Sequence, residues 1–134
     1  MKLDVIYFKQ RKGQSLVETA LVIPILLLIL TGIIDFGMLF NNYLVVSNAS
    51  REGARSAAIG STDAQINTVV NNVASTLDPA KLTVNITPDQ TAGRSTGSSV
   101  VVTVQYKYSM ITPIIGAILP GPIELKTSTT MRCE

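Results

Sequence analysis

Apolar and polar positions alternate with three different periods along the chain, and each period predicts a different element. From Ala20 to Phe40 almost every position is apolar, interrupted by Pro24, Thr31, Gly32, Asp35 and Gly37. At about 1.5 Å per residue such a helix is about 30 Å long, enough to cross a bilayer. The helical pattern runs on through Asn41 and Asn42 to about Ile59 and stops at Gly60, the residue type many helices use just past their end. Ser61-Thr62-Asp63 then offers N-cap oxygens, and Ile66, Val69, Val70, Val73 and Leu77 recur at helical spacing as far as Asp78-Pro79, predicting a short amphipathic helix.

Beyond Pro79 the period falls to two. Leu82, Val84 and Ile86 alternate with Thr83, Asn85 and Thr87; Val100, Val102, Val104, Tyr106 and Tyr108 alternate with Val101, Thr103, Gln105 and Lys107; Ile123, Leu125 and Thr127 alternate with Glu124, Lys126 and Ser128. These are strand patterns. Asp89 to Ser99, rich in Gly, Ser and Thr, predicts an exposed, mobile hairpin loop. The connection Ser109 to Pro122 is unusually apolar for a loop, so it is expected to cover core or to meet a membrane or partner, closure of the sheet end being the plainest choice. The sum is an α+β fold: a long N-terminal transmembrane helix extending outside the membrane, a short amphipathic helix and a small three-stranded antiparallel sheet. Three segments follow, 1–13 as a basic stub, 14–60 as the helix and 61–134 as a small domain that needs a helix face to be stable.

Charge places this layout across a membrane. Lys2, Lys9, Arg11 and Lys12 all precede the apolar run, opposed there by Asp4 alone, so the N-terminus is expected in the cytoplasm and everything past Phe40 outside. Without residues 1–13 the remaining seven Lys and Arg face eight Asp and Glu, a net −1 with no clustered basic face, so no nucleic-acid partner is expected. A conventional secretory signal is the rival reading, with Ser47-Asn48-Ala49 as its small-x-small cleavage site. Its apolar core should be about 7 to 15 residues, shorter than this one.

Histidine is absent and Cys133 is the single cysteine. His-based acid–base chemistry, an intrachain disulfide and the usual zinc constellations are excluded. With no P-loop, no metal spacing and no base near its serines the chain is not expected to be an enzyme or to take a cofactor. Cys133 is given no role.

Between Gln14 and Ser50 the sole charges are Glu18 and Asp35. A carboxylate at mid-bilayer costs at least about 2.5 to 3.5 kcal/mol, so each should have a partner or reach an interface, headgroups being the plain expectation. Farther out, Ala49, Gly53 and Ala57 recur at spacing four, as do Ser50, Ala54 and Ala58. Such strips let two elements approach closely; here the partner is either a neighbouring subunit's helix or the chain's own sheet. Arg51, Glu52 and Arg55 form a charged stripe on the same helix, by default a solvated face with local ion pairs worth a few tenths of a kcal/mol.

Gly13 followed by Gln14-Ser15-Leu16-Val17-Glu18 resembles the class III signal of type IV prepilins, with Thr19 where that pattern usually has an aromatic. More closely, Val17 to Pro24, then Gly32-Ile33-Ile34-Asp35-Phe36-Gly37, then Asn48 to Ala58 is similar to the TadE-like family, the pseudopilins of the tight-adherence (Flp, type IVb) pilus system. A weaker likeness covers Val102 to Tyr108, Pro113 and Thr130-Met131-Arg132. The resemblance implies that residues 1–13 are a leader and that a prepilin peptidase cuts between Gly13 and Gln14. It implies as partners other pilins or pseudopilins, an assembly ATPase and the pilus assembly platform, with the protein in the bacterial cytoplasmic (inner) membrane or the pilus. It also raises the weight of Glu18, Asp35, Arg51, Glu52 and Arg55 as assembly contacts. After such a cut the new α-amino group of Gln14 lies one helical turn from Glu18, where the two can neutralise each other in an apolar bundle. The alternative is a permanently anchored extracytoplasmic binding module that never enters a filament.

Overall fold

The computed structural model describes residues 4–118 and 120–134, with backbone alone for residues 4–12 and for Ile114. Met1, Lys2 and Leu3 of the expected leader, and Leu119 of the apolar connection, lie outside the described residues. The fold is α+β: a long N-terminal apolar helix, a short helix and a three-stranded antiparallel sheet.

Helix α1 runs unbroken over Asp4–Ala58, 55 residues, with Pro24 inside it. Proline removes one backbone donor and crowds the preceding turn, a defect that membrane helices tolerate. The hydroxyls along the run satisfy themselves within the helix: Thr19 donates to the Ser15 carbonyl at 2.9 Å and Thr31 reaches the Leu27 and Leu28 carbonyls at 3.0 Å. The helix ends in a Schellman motif. Gly60, at φ 84°, donates its N–H to the Ala57 carbonyl at 3.1 Å, and Ser61 donates to Ser56 at 3.2 Å.

Helix α2 (Asp63–Val73) opens with a reciprocal cap in which Thr62 and Gln65 each bond the other's backbone N–H. It stops one turn before the pattern ending at Asp78-Pro79 suggests. Ala74 closes it through a bond to the Val70 carbonyl, and Leu77 reaches the core from a turn instead of from the helix. Asp78 precedes a proline and so resists helical geometry; it caps a 3₁₀ turn over Pro79–Lys81 that feeds the first strand. Strands β1 (Leu82–Thr87) and β2 (Ser99–Tyr108) pair with Val84 opposite Val104, and β2 pairs with β3 (Ile123–Arg132) with Val104 opposite Thr127, in the order β1-β2-β3.

Val100, Val102, Val104, Tyr106 and Tyr108 of β2 are buried on the inner face, with Leu125 of β3 beside them and Leu82, Val84 and Ile86 of β1 at its margin. The outer half of α1 lies on this face and contributes Val46, Ala49, Ala54 and Ala57 to the same core, while α2 adds Ile66 and Val70. A buried Ser50 hydroxyl bridges helix and sheet, 3.0 Å from the Val102 carbonyl and 2.8 Å from the Thr129 hydroxyl. It has a single proton, so the Thr129 hydroxyl must donate when Ser50 donates to Val102.

Two connections carry contacts that the sequence did not indicate. The loop after β1 is exposed over most of its length, as expected, and is tied to the domain at Arg94 and Gln90. The Arg94 side chain, 7% exposed, forms an ion pair with Asp63 and bonds the Ser61 and Pro88 carbonyls at 2.9 and 3.1 Å, and Asp63 also accepts the Gln90 N–H at 3.0 Å. Within the loop, Asp89 is held below the usual carboxylate range, chiefly by the Ala92 N–H and then by the Thr91 hydroxyl. The second connection packs Met110 partly against the core. Beyond it, Ile111, Thr112 and Ile115, the last from the short helix α3 (Pro113–Ile118), meet α1 at Asp35 and Gly32.

A methyl group built on Gly53 would come within 2.8 Å of Val70 Cγ2 and 3.1 Å of Val102 Cγ1. Both neighbours are buried, stiff, β-branched side chains. Gly53→Val is therefore expected to destabilise the domain by about 3 kcal/mol in chemical denaturation of the detergent-solubilised protein. Truncating the adjacent exposed Glu52 to Ala should stay within about 0.5 kcal/mol.

Candidate functional site

Three sets of residues along α1 bear on function, and the helix presents each to different surroundings. At the inner end Gly13, Gln14 and Glu18 are all exposed, with nothing within 4 Å of the position a Gly13 side chain would take. The Gln14 side-chain amide lies 3.5 Å from the Glu18 carboxylate, too long for a strong bond but enough to put positions 14 and 18 on one face. Leu16, Val17, Leu21 and the apolar side chains on to Leu30 are exposed along this half of the helix. By length and composition α1 can cross a membrane, with a mean hydropathy of 2.5 over its most apolar stretch. One such N-terminal helix fits a single-pass membrane protein.

Midway, Asp35 is 3% exposed although it sits in the apolar run. Its carboxylate accepts the backbone N–H of Ile111 at 3.3 Å on one oxygen and that of Thr112 at 3.1 Å on the other. Of the two resorts open to it, a partner or an interface, the structure gives the carboxylate partners within the same chain. Ile115 packs here too, its Cδ1 3.6 Å from where a Gly32 Cβ would stand. The buried Tyr108 hydroxyl has no hydrogen-bond partner among the described residues, and its pKa is pushed above the ordinary phenol value by burial first and by the negative charge of Asp35 second. Sequence reasoning missed Ile111 and Thr112 as partners because two of the donors are backbone N–H groups, which any non-proline residue supplies, and the Thr112 hydroxyl that also faces the carboxylate lies 77 positions away with no spacing that points to it. The available signal was an apolar connection with no charge of its own between Lys107 and Glu124.

On the outer half, the small strip Ala49, Gly53 and Ala57, with Ser50, Ala54 and Ala58, is buried against α2 and the sheet. Of the two uses open to it, this is the intramolecular one. Arg51, Glu52 and Arg55 stand exposed on the other side. Among the described residues the one ion pair within 4.0 Å is Arg94–Asp63, so the stripe has no local pairing and its charges are free for an outside contact. Nearer the apolar run and on the sheet-facing side of the helix, Leu39, Phe40, Tyr43 and Leu125 line an open apolar hollow of about 240 Å³.

Residues 13–55 match the family model for TadE-like protein, a span that takes in Gly13, Glu18, Asp35 and Arg51 through Arg55. No curated protein and no solved structure matches the chain.

Replacing Asp35 by Leu removes both acceptors and strands two N–H groups, each at a cost of about 1 to 3 kcal/mol. Hydrogen exchange at the Ile111 and Thr112 amides should accelerate strongly in Asp35→Leu while the β1–β2 amides keep their protection. Asp35→Asn, which retains one acceptor oxygen, should fall between the two.

Proposed function

We propose, from the TadE-like match over residues 13–55, that the chain is a pseudopilin or minor pilin of a tight-adherence (Flp-type) pilus used for surface attachment. In this reading a prepilin peptidase removes residues 1–13, and residues 16–40 hold the mature protein in the bacterial cytoplasmic membrane. The new N-terminus at Gln14 stays cytoplasmic, with the α+β domain outside. Assembly engages other pilins or pseudopilins and the assembly platform with its ATPase.

The observation that carries the reading is the inner half of α1: a helical surface whose large apolar side chains are exposed, bearing one carboxylate at Glu18 one turn from Gln14. In lipid alone that carboxylate is a cost of a few kcal/mol if it sits deep. Beside the α-amino group of a cleaved Gln14, in the same or an adjacent subunit, it becomes half of a neutral pair that fixes axial register. The same apolar surface can leave lipid for a bundle of like helices with no new polar group to bury. Arg51, Glu52 and Arg55, exposed and unpaired by local contacts, are the proposed polar contacts between neighbouring domains.

Mass determination of the N-terminus separates this reading from a permanent anchor. A mature chain beginning at Gln14 in wild-type cells, and at Met1 in cells lacking the peptidase, supports assembly; an intact Met1 in both supports the anchor. Glu18→Ala is expected to insert into the membrane normally and to fail to reach pili. Normal assembly of that variant in cells where cleavage after Gly13 is confirmed would rule out the amine–carboxylate pair.

A further inference from the structure

We infer that the segment Ile111–Ile118 is a second membrane contact, an apolar wedge seated in the outer leaflet beside α1 and held at its depth by Asp35. The inference rests on α1 crossing the bilayer, and four observations carry it further. The segment is docked onto the membrane run itself, at Gly32 and Asp35. Those positions lie about 7 to 12 Å along the helix axis inside Phe40, the last residue of the apolar run. No charged residue occurs from Ser109 to Pro122, as a segment at that depth requires. Ile111 and Ile118 are 65% and 74% exposed.

The fourth observation concerns the backbone. Irregular chain at membrane depth is tolerated only when its polar groups are satisfied. Here the Ile111 and Thr112 N–H groups at the start of α3 go to the two Asp35 oxygens, and the Gly116 N–H goes to the Thr112 carbonyl at 3.0 Å. Asp35 and the segment thereby solve each other's problem. A carboxylate in an apolar run gains two donors, and two donors on an apolar loop gain an acceptor that no lipid tail can offer. The occupant of the exposed isoleucine face is accordingly lipid acyl chain and upper headgroup, the surroundings of amphipathic interfacial elements.

The test uses the full chain in phospholipid vesicles, with Cys133→Ser as background and one new cysteine per variant carrying an environment-sensitive fluorophore. Ile118→Cys and Ile111→Cys report on the wedge, Leu28→Cys on the membrane helix and Lys126→Cys on the solvent face of the sheet. All four positions are exposed in the fold, so labelling leaves the core intact. Quenching of the 111 and 118 probes by nitroxide-bearing phospholipid, with loss of quenching by aqueous iodide as for position 28, is the expected result. Iodide quenching of both wedge probes at the level of position 126, while position 28 stays protected, overturns the inference and leaves the membrane helix standing. Protection of the wedge probes from both quenchers, which a second copy of the chain would produce, overturns it as well. If position 28 is itself open to iodide, the membrane-crossing reading fails and the inference falls with it.

Discussion

Close approach between α1 and the sheet is the constraint on which the fold of the α+β domain depends. A three-stranded sheet has too little area to stand alone, and here its inner face is covered by the same helix that carries the membrane run. Alanine, glycine and serine along that contact let the helix backbone come near β2, so that Val70 and Val102 fill the space a side chain at Gly53 would need. Dispersion at such a contact is individually weak and collectively large. Ser50 adds direction to it by bonding the Val102 carbonyl and the Thr129 hydroxyl, which fixes where along the sheet the helix can rest. The domain is therefore not an appendage on a stalk: the stalk is part of its core.

Asp35 extends the same coupling toward the bilayer. Where the small strip ties α1 to β2 and α2, the carboxylate ties α1 to the connection between β2 and β3. Two ties at different heights resist hinging where helix leaves lipid. The charged stripe at Arg51, Glu52 and Arg55 lies opposite the first tie, so the face of α1 left exposed is defined by what the chain has already used for its own packing.

Much of this architecture was legible in the residues, and the parts that were not share a physical reason. Period-two alternation in Val100 to Tyr108 and in Ile123 to Thr127 located the long strands because a half-buried strand must alternate. Thr62 and Gly60 marked helix ends because caps are local chemistry. Gly13, Glu18, Asp35 and Arg51 to Arg55 drew attention as residues that a plain anchor does not need, and the family match spans them. By contrast, spacing four in Ala49, Gly53 and Ala57 announces a close contact without naming the partner. Arg94 lies in a Gly- and Ser-rich loop whose composition points to no partner, yet it reaches Asp63 across 31 positions. The Asp35 clasp spans more than 70 positions and uses backbone donors, which leave no mark in side-chain identity.

Continuity of α1 from the membrane into the domain core has a rotational consequence. Each residue advances a helix by about 100°, and no break between Glu18 and Gly53 absorbs a phase error. The compass bearing of the sheet around the helix axis is thus set by a residue count, relative to the face on which Glu18 stands. One residue inserted between Glu18 and Gly32 would swing the domain by more than a quarter turn while leaving the helix's contacts from Gly32 onward intact. The helix therefore acts as a keyed shaft: the apolar face at one end and the domain at the other are held at one preset angle.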